Sequence, residues 1–269
     1  MNLTDAFQLR RHDGIAFLVC RPLEQAGYTH AFSTRQQGVS PLPTNALNLG
    51  FCPADAPSRV QHNRQRFLAA IGATEMKLVT LKQIHSADVI LAGRDERGDV
   101  LRAGDALIAR QPALLLGVQT ADCVPILIAD VKRRAIAAVH AGWRGTYARI
   151  VEKTLAQMHC EFGTEAADCL AAIGPAAGVC CYEVGQDVTE LYSRTFAWAD
   201  AIIHNHQPTG KAHLDIPAAN RQQLIHAGVP PSNIFTVNLC TMCHNDLFFS
   251  HRRESAHGVG RMLSVIGYK

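Results

Sequence analysis

Short, unbroken apolar runs recur along this chain, and they constrain its fold more than any other feature. Strands that are covered on both faces carry apolar residues without alternation, because each side chain meets packing whichever way it points. Nine such runs lie at residues 16–20, 78–81, 87–91, 113–118, 124–129, 135–139, 170–173, 234–237 and 262–266. All of them are far too short to cross a membrane as a helix. The pattern therefore predicts buried strands in a layered protein.

Amphipathic segments between these runs predict helices at residues 58–71, 146–158 and 218–227. The last of them stops before Gly228 and two prolines, which is a helix-ending signal. The predicted strands outnumber the predicted helices, which favours a multi-layer α/β or α+β fold over a doubly wound parallel sheet. A chain of 269 residues without linker-like or repeated segments fits a single domain, 1–269.

The charge balance excludes several classes of partner. The chain has 26 Lys and Arg against 23 Asp and Glu, a net charge of +3, and the basic residues do not form a block. This is too mild for an electrostatic nucleic-acid footprint. The N-terminus lacks the charged-then-apolar order of a signal peptide. We therefore expect a cytoplasmic protein that binds neither nucleic acid nor membrane.

Cysteine and histidine are abundant, with 9 Cys and 13 His. The odd number and the missing export signal argue against a disulfide framework. Four cysteines in apolar surroundings are expected to pack as small hydrophobes: Cys20, Cys169, Cys180 and Cys181. Cys240, Cys243 and His244 form a C-x-x-C-H string, but covalent haem attachment would need export, and no second C-x-x-C completes a four-thiolate zinc site. Packing or surface roles are expected for these cysteines as well.

Three segments each place one imidazole or thiol at the end of a predicted strand. These are His85, Cys123 and His140, separated by 38 (123 − 85) and 17 (140 − 123) residues. Such spacing forms no compact zinc finger, but a sheet could bring the three together. Two histidines and one cysteine leave a fourth position open, which is the pattern of catalytic zinc. The pattern therefore favours a zinc site at these three residues.

Other roles for the same residues stay open at this point. Asp122, beside the cysteine, could support a ligand or accept a proton. Cys123 could instead be a nucleophile with His140 as its base. His85 and His140 could also be ordinary core histidines beside a buried thiol. The metal interpretation uses both histidines, and we prefer it.

Two glycine-containing loops are candidates for substrate binding. Gly142 and Gly145 would let the backbone approach a ligand, the following helix would offer N–H groups to an anion, and Arg144 could contact phosphate through two hydrogen bonds. A tight strand-to-helix turn is the alternative. In the second loop, Arg35 and Asn48 could reach a polar ligand or could stabilise a turn.

Taken together, these segments resemble the multicopper polyphenol oxidoreductase (laccase) domain family, whose members are also called purine nucleoside phosphorylases. The matching strings run in family order over nearly the whole chain. They are Phe32-Ser-Thr-Arg35, Asn48-Leu-Gly50, Gln83-Ile-His85, Thr120-Ala-Asp-Cys123-Val-Pro, His140-Ala-Gly-Trp-Arg-Gly145, Ile173-Gly-Pro175 and Phe248-Phe-Ser-His-Arg-Arg253. His251 departs from the pattern, in which a tyrosine is expected.

The resemblance implies a four-layer α/β/β/α sandwich with mixed sheets. It implies a metal held by His85, Cys123 and His140, usually zinc, with copper as the alternative. The implied activity is phosphorolysis of adenosine, inosine and S-methyl-5'-thioadenosine to a free base and a sugar 1-phosphate, with hydrolytic deamination of adenosine. Purine nucleosides and phosphate are then the partners of a protein that we expect to be a monomer.

Competing activities accompany the same resemblance. One is copper-dependent oxidation of polyphenols, and another is hydrolytic editing of peptidoglycan precursors with Cys123 or the metal as the centre. A non-catalytic alternative is a metal or redox sensor in which Cys240 or Cys243 closes the fourth ligand position.

Overall fold

The computed structural model describes residues 4–42, 46–93, 102–254 and 258–269. In that part of the chain the strands are β1 Phe7–His12, β2 Ile15–Cys20, β3 Thr29–Ser33, β4 Lys77–Val79, β5 Val89–Leu91, β6 Ala106–Ala109, β7 Leu114–Thr120, β8 Val124–Asp130, β9 Ala135–Ala141, β10 Cys169–Ile173, β11 Glu183–Val184, β12 Ile203–His204, β13 Ala212–Leu214, β14 Ile234–Thr236 and β15 Met262–Gly267. The α-helices are α1 Arg21–Gln25, α2 Pro57–Ala70, α3 Trp143–Tyr147, α4 Ile150–Phe162, α5 Gln186–Thr195, α6 Ile216–His226 and α7 His251–Glu254.

These strands form two six-stranded sheets and a small three-stranded one. The first sheet has the order β1-β2-β3-β15-β7-β4, the second β14-β10-β8-β9-β6-β5, and the small sheet β11-β13-β12. Both large sheets are mixed, because β4 pairs with β7, β10 with β14 and β5 with β6 in parallel while their other pairs are antiparallel. The mixed α/β class expected from the sequence is confirmed.

Three apolar clusters show where the core lies. One contains side chains from both large sheets, such as Leu116 on β7 and Leu127 on β8. A second joins the other side of the second sheet to helices α4 and α6. A third joins β15 and its neighbours to Phe67 on α2. The four-layer order stays a prediction, which these clusters support. No helix in the described ranges is long and apolar enough to cross a membrane.

Each of the nine apolar runs overlaps an observed strand. The expected single helix at 146–158 is wrong, because the chain forms α3 and α4 with a break between them. Arg149 adopts φ 60°, a left-handed conformation that interrupts an α-helix. The patterns missed β1, β3 and β6 as well as helix α5. For β1 the reason is that its residues become progressively more exposed along the strand.

Strand pairing in the second sheet places the predicted site residues. Antiparallel pairing of β8 with β9 sets Pro125 opposite His140, so Cys123, just before β8, lies beside the end of β9. Strand β6 pairs with the other side of β9, which brings Asp105 next to His140. The strand pairing therefore brings together site residues that are far apart in the sequence.

Candidate metal centre

His85, Cys123 and His140 come together as the sequence predicted. One ligand atom from each lies within 4.8 Å of the others, and Cys123 Sγ is 3.9 Å from His85 Nε2. The two imidazole rings meet edge to face, with centroids 5.0 Å apart. His140 is buried, Cys123 is half-buried and His85 is exposed. The cluster therefore has a closed side and an open side.

A buried carboxylate, Asp105, organises this cluster. Its Oδ1 accepts hydrogen bonds from His140 Nδ1 at 2.8 Å and from the His85 backbone N–H at 3.0 Å. Its Oδ2 accepts from the backbone N–H groups of Ile84 at 3.2 Å and Ser86 at 2.6 Å. Burial raises the pKa of Asp105, but the bonds from His140 and Ser86 outweigh it and hold that pKa at about 2. Because His140 uses Nδ1 for this contact, its Nε2 is left for a metal.

Two residues of the cluster's loops have left-handed backbones. His85 has φ 59° and Asp122 has φ 91°, conformations that cost about 1–3 kcal/mol outside glycine. Hydrogen bonds to Asp105 hold the loop of His85 in this form. The carboxylate of Asp122 accepts from Thr241 Oγ1 at 2.6 Å, from Ser250 Oγ at 3.1 Å and from the Arg252 N–H at 2.7 Å. These three bonds tie the loop of Cys123 to the C-terminal part of the chain.

The thiol and the buried imidazole of the cluster stabilise each other's charge. Burial raises the pKa of Cys123, but the facing imidazoles of His140 and His85 outweigh it and lower that pKa. Burial lowers the pKa of His140, but the Cys123 thiolate and the Asp105 carboxylate outweigh it and raise that pKa. The thiolate is the form that binds a metal. One thiolate and two imidazoles fit zinc or copper.

The cluster lines a cavity of about 860 Å³, a size in the range of small-molecule sites. Of the described residues around the cavity, five are Lys or Arg and one is acidic: Arg64, Lys82, Arg144, Arg252 and Arg261 against Asp122. Phe51, Trp143 and Tyr182 add aromatic surface. The hydroxyl of Thr120, also in the wall, is buried without a hydrogen-bond partner among the described residues. This lining suits a ligand with an anionic part and a flat ring.

Gly142 and Gly145, expected from the sequence to approach a ligand, pack against the loops of the cluster and lie outside the set of described cavity residues. A Cβ on Gly142 would meet Cys123 Sγ at 3.0 Å and His85 Cδ2 at 3.1 Å, and one on Gly145 would meet the Ser86 carbonyl oxygen at 2.9 Å. Their contacts are thus with the loops that carry the ligands. Arg144 lines the cavity, with its guanidinium 4.3 Å from the ring centroid of Trp143.

Arg35 and Asn48 are outside the set of described residues that line the cavity. The buried guanidinium of Arg35 pairs with Glu254 at 2.8 Å and donates to the carbonyl of Phe248 at 3.3 Å. Asn48 is fully buried, and its Oδ1 accepts from the N–H of Arg261 at 2.9 Å. Both residues hold backbone segments that lead to cavity residues.

Sequence reasoning missed several residues of the site. Asp105 lies 20 residues from His85, with no local signal beyond an acidic residue before an apolar run. Tyr182 also gave no signal; Arg252 stacks over its ring with the guanidinium carbon 4.8 Å from the centroid. Gln83 was visible only as part of a motif. It exchanges two 2.7 Å hydrogen bonds with the backbone of Gln119 on β7, which anchors the loop of His85.

The chain is similar to known proteins over most of its length. A family model described as "Multi-copper polyphenol oxidoreductase laccase" matches residues 29–269. A purine nucleoside phosphorylase of Bacteroides thetaiotaomicron is 38% identical over 245 residues, 88% of this chain and 90% of that protein. Adenosine deaminase RL5, from an unknown prokaryotic organism, is 36% identical over 83% of this chain and 88% of its own length. The crystal structure of YlmD from Geobacillus stearothermophilus superposes with a TM-score of 0.90 at 33% identity, covering 99% of this chain and all of that one.

Proposed function

Because this chain belongs to the multi-copper polyphenol oxidoreductase laccase family, and its His–Cys–His cluster opens into a cationic cavity, we propose that it is a zinc-dependent purine nucleoside phosphorylase. Its substrates are adenosine, inosine and S-methyl-5'-thioadenosine, and it also deaminates adenosine. Relatives named as purine nucleoside phosphorylases and as an adenosine deaminase support both activities. The observation that carries the proposal is the single cavity that joins the three ligands to five basic side chains.

The cavity wall offers groups for both substrates. Arg144 and Arg252 provide guanidinium groups for phosphate, which such groups bind through paired hydrogen bonds. The same two guanidiniums lie over one face of Trp143 and of Tyr182, so a purine would stack on the ring faces that they leave uncovered. In phosphorolysis an oxygen of phosphate forms a bond to C1′ of the sugar while the C1′–N9 bond breaks, and the purine leaves with a proton on nitrogen. In deamination water replaces the 6-amino group, which leaves as ammonia.

His85, Cys123 and His140 would hold the zinc, which supplies Lewis acidity in the cavity when bound. Asp105 keeps the Nδ1 proton on His140 and so presents Nε2 towards the cavity. Hydrogen bonds to Asp122 keep the Cys123 loop in place. In this proposal Cys123 is a ligand, Arg144 contacts phosphate, and Arg35 and Asn48 are positioning residues.

Copper-dependent oxidation of polyphenols is less well supported. Multicopper oxidation requires several histidine-rich centres. In the described part of the chain, one possible metal-binding group contains histidine, and the other consists of four cysteines. That donor set favours chemistry at one centre.

The test is product analysis with purified protein. Adenosine with phosphate should give adenine and ribose 1-phosphate, and adenosine without phosphate should give inosine, both followed by chromatography. Cys123→Ser should reduce base release by more than about 100-fold, because losing a ligand costs more than losing its hydrogen-bonded support. Cys160→Ser, on the exposed side of α4, is the matched control and should retain wild-type activity.

The phosphorylase proposal would be overturned if metal-loaded protein released no base from any of the three nucleosides. Turnover of a phenol with copper and oxygen would support the oxidase instead. Release of an amino acid from a peptidoglycan precursor would support the editing hydrolase.

A further inference from the structure

A second group of cysteines lies outside the set of described cavity residues. The sulfur atoms of Cys180, Cys181, Cys240 and Cys243 all lie within 4.8 Å of one another. Cys243 Sγ is 3.5 Å from Cys180 Sγ and 3.4 Å from Cys181 Sγ. The expectation that Cys180 and Cys181 pack as buried hydrophobes is wrong, because Cys180 is exposed and Cys181 is half-buried, whereas Cys240 is buried and Cys243 is exposed. The adjacent residues Cys180 and Cys181 supply two further thiols, so a second C-x-x-C string is not needed for a four-thiolate site.

The backbone holds the two cysteine-bearing segments together. Ala176 and Cys240 form an isolated parallel bridge, and the Thr241 N–H donates to the Ala176 carbonyl at 3.0 Å. Within the first segment, the Cys181 N–H donates to the Gly178 carbonyl at 2.9 Å, which forms the turn that carries the adjacent pair. The four sulfurs therefore converge through the fold of the main chain.

One sulfur already has the environment of a metal thiolate. The Gly178 N–H donates to Cys240 Sγ, with a nitrogen-to-sulfur distance of 3.3 Å. Hydrogen bonds from backbone amides stabilise negative charge on sulfur.

The distances fit one shared centre better than a disulfide. Zinc–sulfur bonds of about 2.3 Å place the four sulfurs of a regular tetrahedron roughly 3.8 Å apart. The two contacts made by Cys243, 3.4 and 3.5 Å, are close to that edge. Cys243 is almost equally distant from Cys180 and Cys181, whereas a disulfide would select one of them. Cys180 and Cys243 are exposed, so core packing does not explain the cluster.

We propose that Cys180, Cys181, Cys240 and Cys243 form a four-thiolate structural zinc site. Four protein ligands close the coordination shell, so this zinc has no position for substrate. The site would fasten two segments that lead to the cavity: Cys181 precedes Tyr182 in the cavity wall, and Cys240 precedes Thr241, which donates to Asp122. The chain then binds about two zinc ions, one more than the His–Cys–His cluster alone holds.

Metal analysis of full-length protein, expressed with zinc and gel-filtered, tests this site. Wild type should contain about two zinc ions per chain, and Cys243→Ser and Cys123→Ser about one each. Cys160→Ser is the control and should match wild type, because Cys160 is in neither cluster. Wild-type zinc content in Cys243→Ser, or a disulfide within the cluster found by non-reducing peptide mapping of wild type, would overturn the proposal.

A second measurement covers the case in which Cys243→Ser does not fold. In Cys123→Ser the remaining zinc should show four sulfur neighbours at about 2.3 Å by X-ray absorption. The cobalt-substituted variant should show the visible bands of tetrahedral cobalt and strong sulfur-to-metal charge transfer. A coordination shell with nitrogen or oxygen, or a variant without bound metal, would overturn the site.

Discussion

The His85/Cys123/His140 cluster and the four-cysteine cluster use related ligands in opposite surroundings. The first offers three ligands in the wall of a cavity, beside the buried carboxylate of Asp105. The second offers four thiols on two adjoining segments whose cysteines lie outside the described cavity lining. Three ligands leave room for a substrate, whereas four close the shell. The number of ligands, and whether a substrate can reach them, therefore separate the proposed roles more clearly than ligand type does.

The two clusters also differ in the pKa values of their thiols. Imidazoles facing Cys123 outweigh its burial and lower the pKa of its thiol to about 6. In the other cluster burial and the neighbouring thiol of Cys243 raise the pKa of Cys181 to about 11, and burial also raises the pKa of Cys180. A thiolate without metal is therefore favoured in the first cluster, while Cys180 and Cys181 remain thiols until a cation binds.

Alkylation of metal-stripped protein gives the largest expected difference. At neutral pH iodoacetamide should modify Cys123 roughly 100-fold faster than Cys181, because a thiolate fraction about 10⁴-fold higher is partly offset by the weaker nucleophilicity of a low-pKa thiolate. The Cys123 rate should fall as the pH drops through about 6, where its thiolate becomes protonated. Peptide mass spectrometry at a series of pH values measures both rates. Equal rates for the two cysteines would contradict the electrostatic contrast.

Asp105→Asn should weaken zinc binding at the His–Cys–His cluster and leave zinc binding at the four-cysteine cluster unchanged. An amide cannot accept all the hydrogen bonds that the carboxylate accepts, so zinc affinity at the His–Cys–His cluster should fall about 10- to 100-fold. Zinc competition with a chromophoric chelator measures this, and circular dichroism checks the fold. Asp168→Asn is the control, because that carboxylate pairs with Lys132 at 2.8 Å and Arg133 at 3.3 Å and belongs to neither cluster. Reduced affinity at both clusters would show that Asp105 supports the whole fold rather than one site.

Gly142→Ala should have the smallest effect. Its φ of −77° suits alanine, so the cost arises from the added Cβ, 3.0 Å from Cys123 Sγ. A displacement of a few tenths of an ångström in the ligand loops should lower kcat/KM for adenosine phosphorolysis about threefold to tenfold. Gly93→Ala is the control, since its added Cβ meets no described atom within 4 Å. An unchanged kcat/KM in Gly142→Ala would show that the ligand loops adjust freely.

Much of the fold was predictable because apolar patterning is local. Buried strands such as β8 and β9 are apolar along most of their length, so the sequence shows them directly. The break between α3 and α4 was not predictable, because Arg149 carries no conformational signal and adopts φ 60° only in its tertiary setting. Strand β1 was not predicted, because the residues at its end face solvent and interrupt the apolar pattern.

The three ligands of the proposed active site were also predictable, because His85, Cys123 and His140 each lie beside or between apolar runs and each lies in a recognisable motif. Asp105 was not, because its role depends on the pairing of β6 with β9. Arg35 and Asn48 attract attention in the sequence, but neither lines the cavity: Arg35 donates to the Phe248 carbonyl, and Asn48 accepts from the backbone N–H of the cavity residue Arg261.

Local patterns in the chain were sufficient for the family, the mixed α/β class and the His–Cys–His ligands. Tertiary structure alone decided which carboxylate supports His140, which side chains form the cavity, and that the adjacent pair Cys180 and Cys181 meets Cys240 and Cys243. The physical reason is that side-chain patterns report how each residue meets core or solvent, whereas convergence of distant thiols depends on backbone pairing. The bridge between Ala176 and Cys240 is such a pairing, and it joins segments more than 60 residues apart.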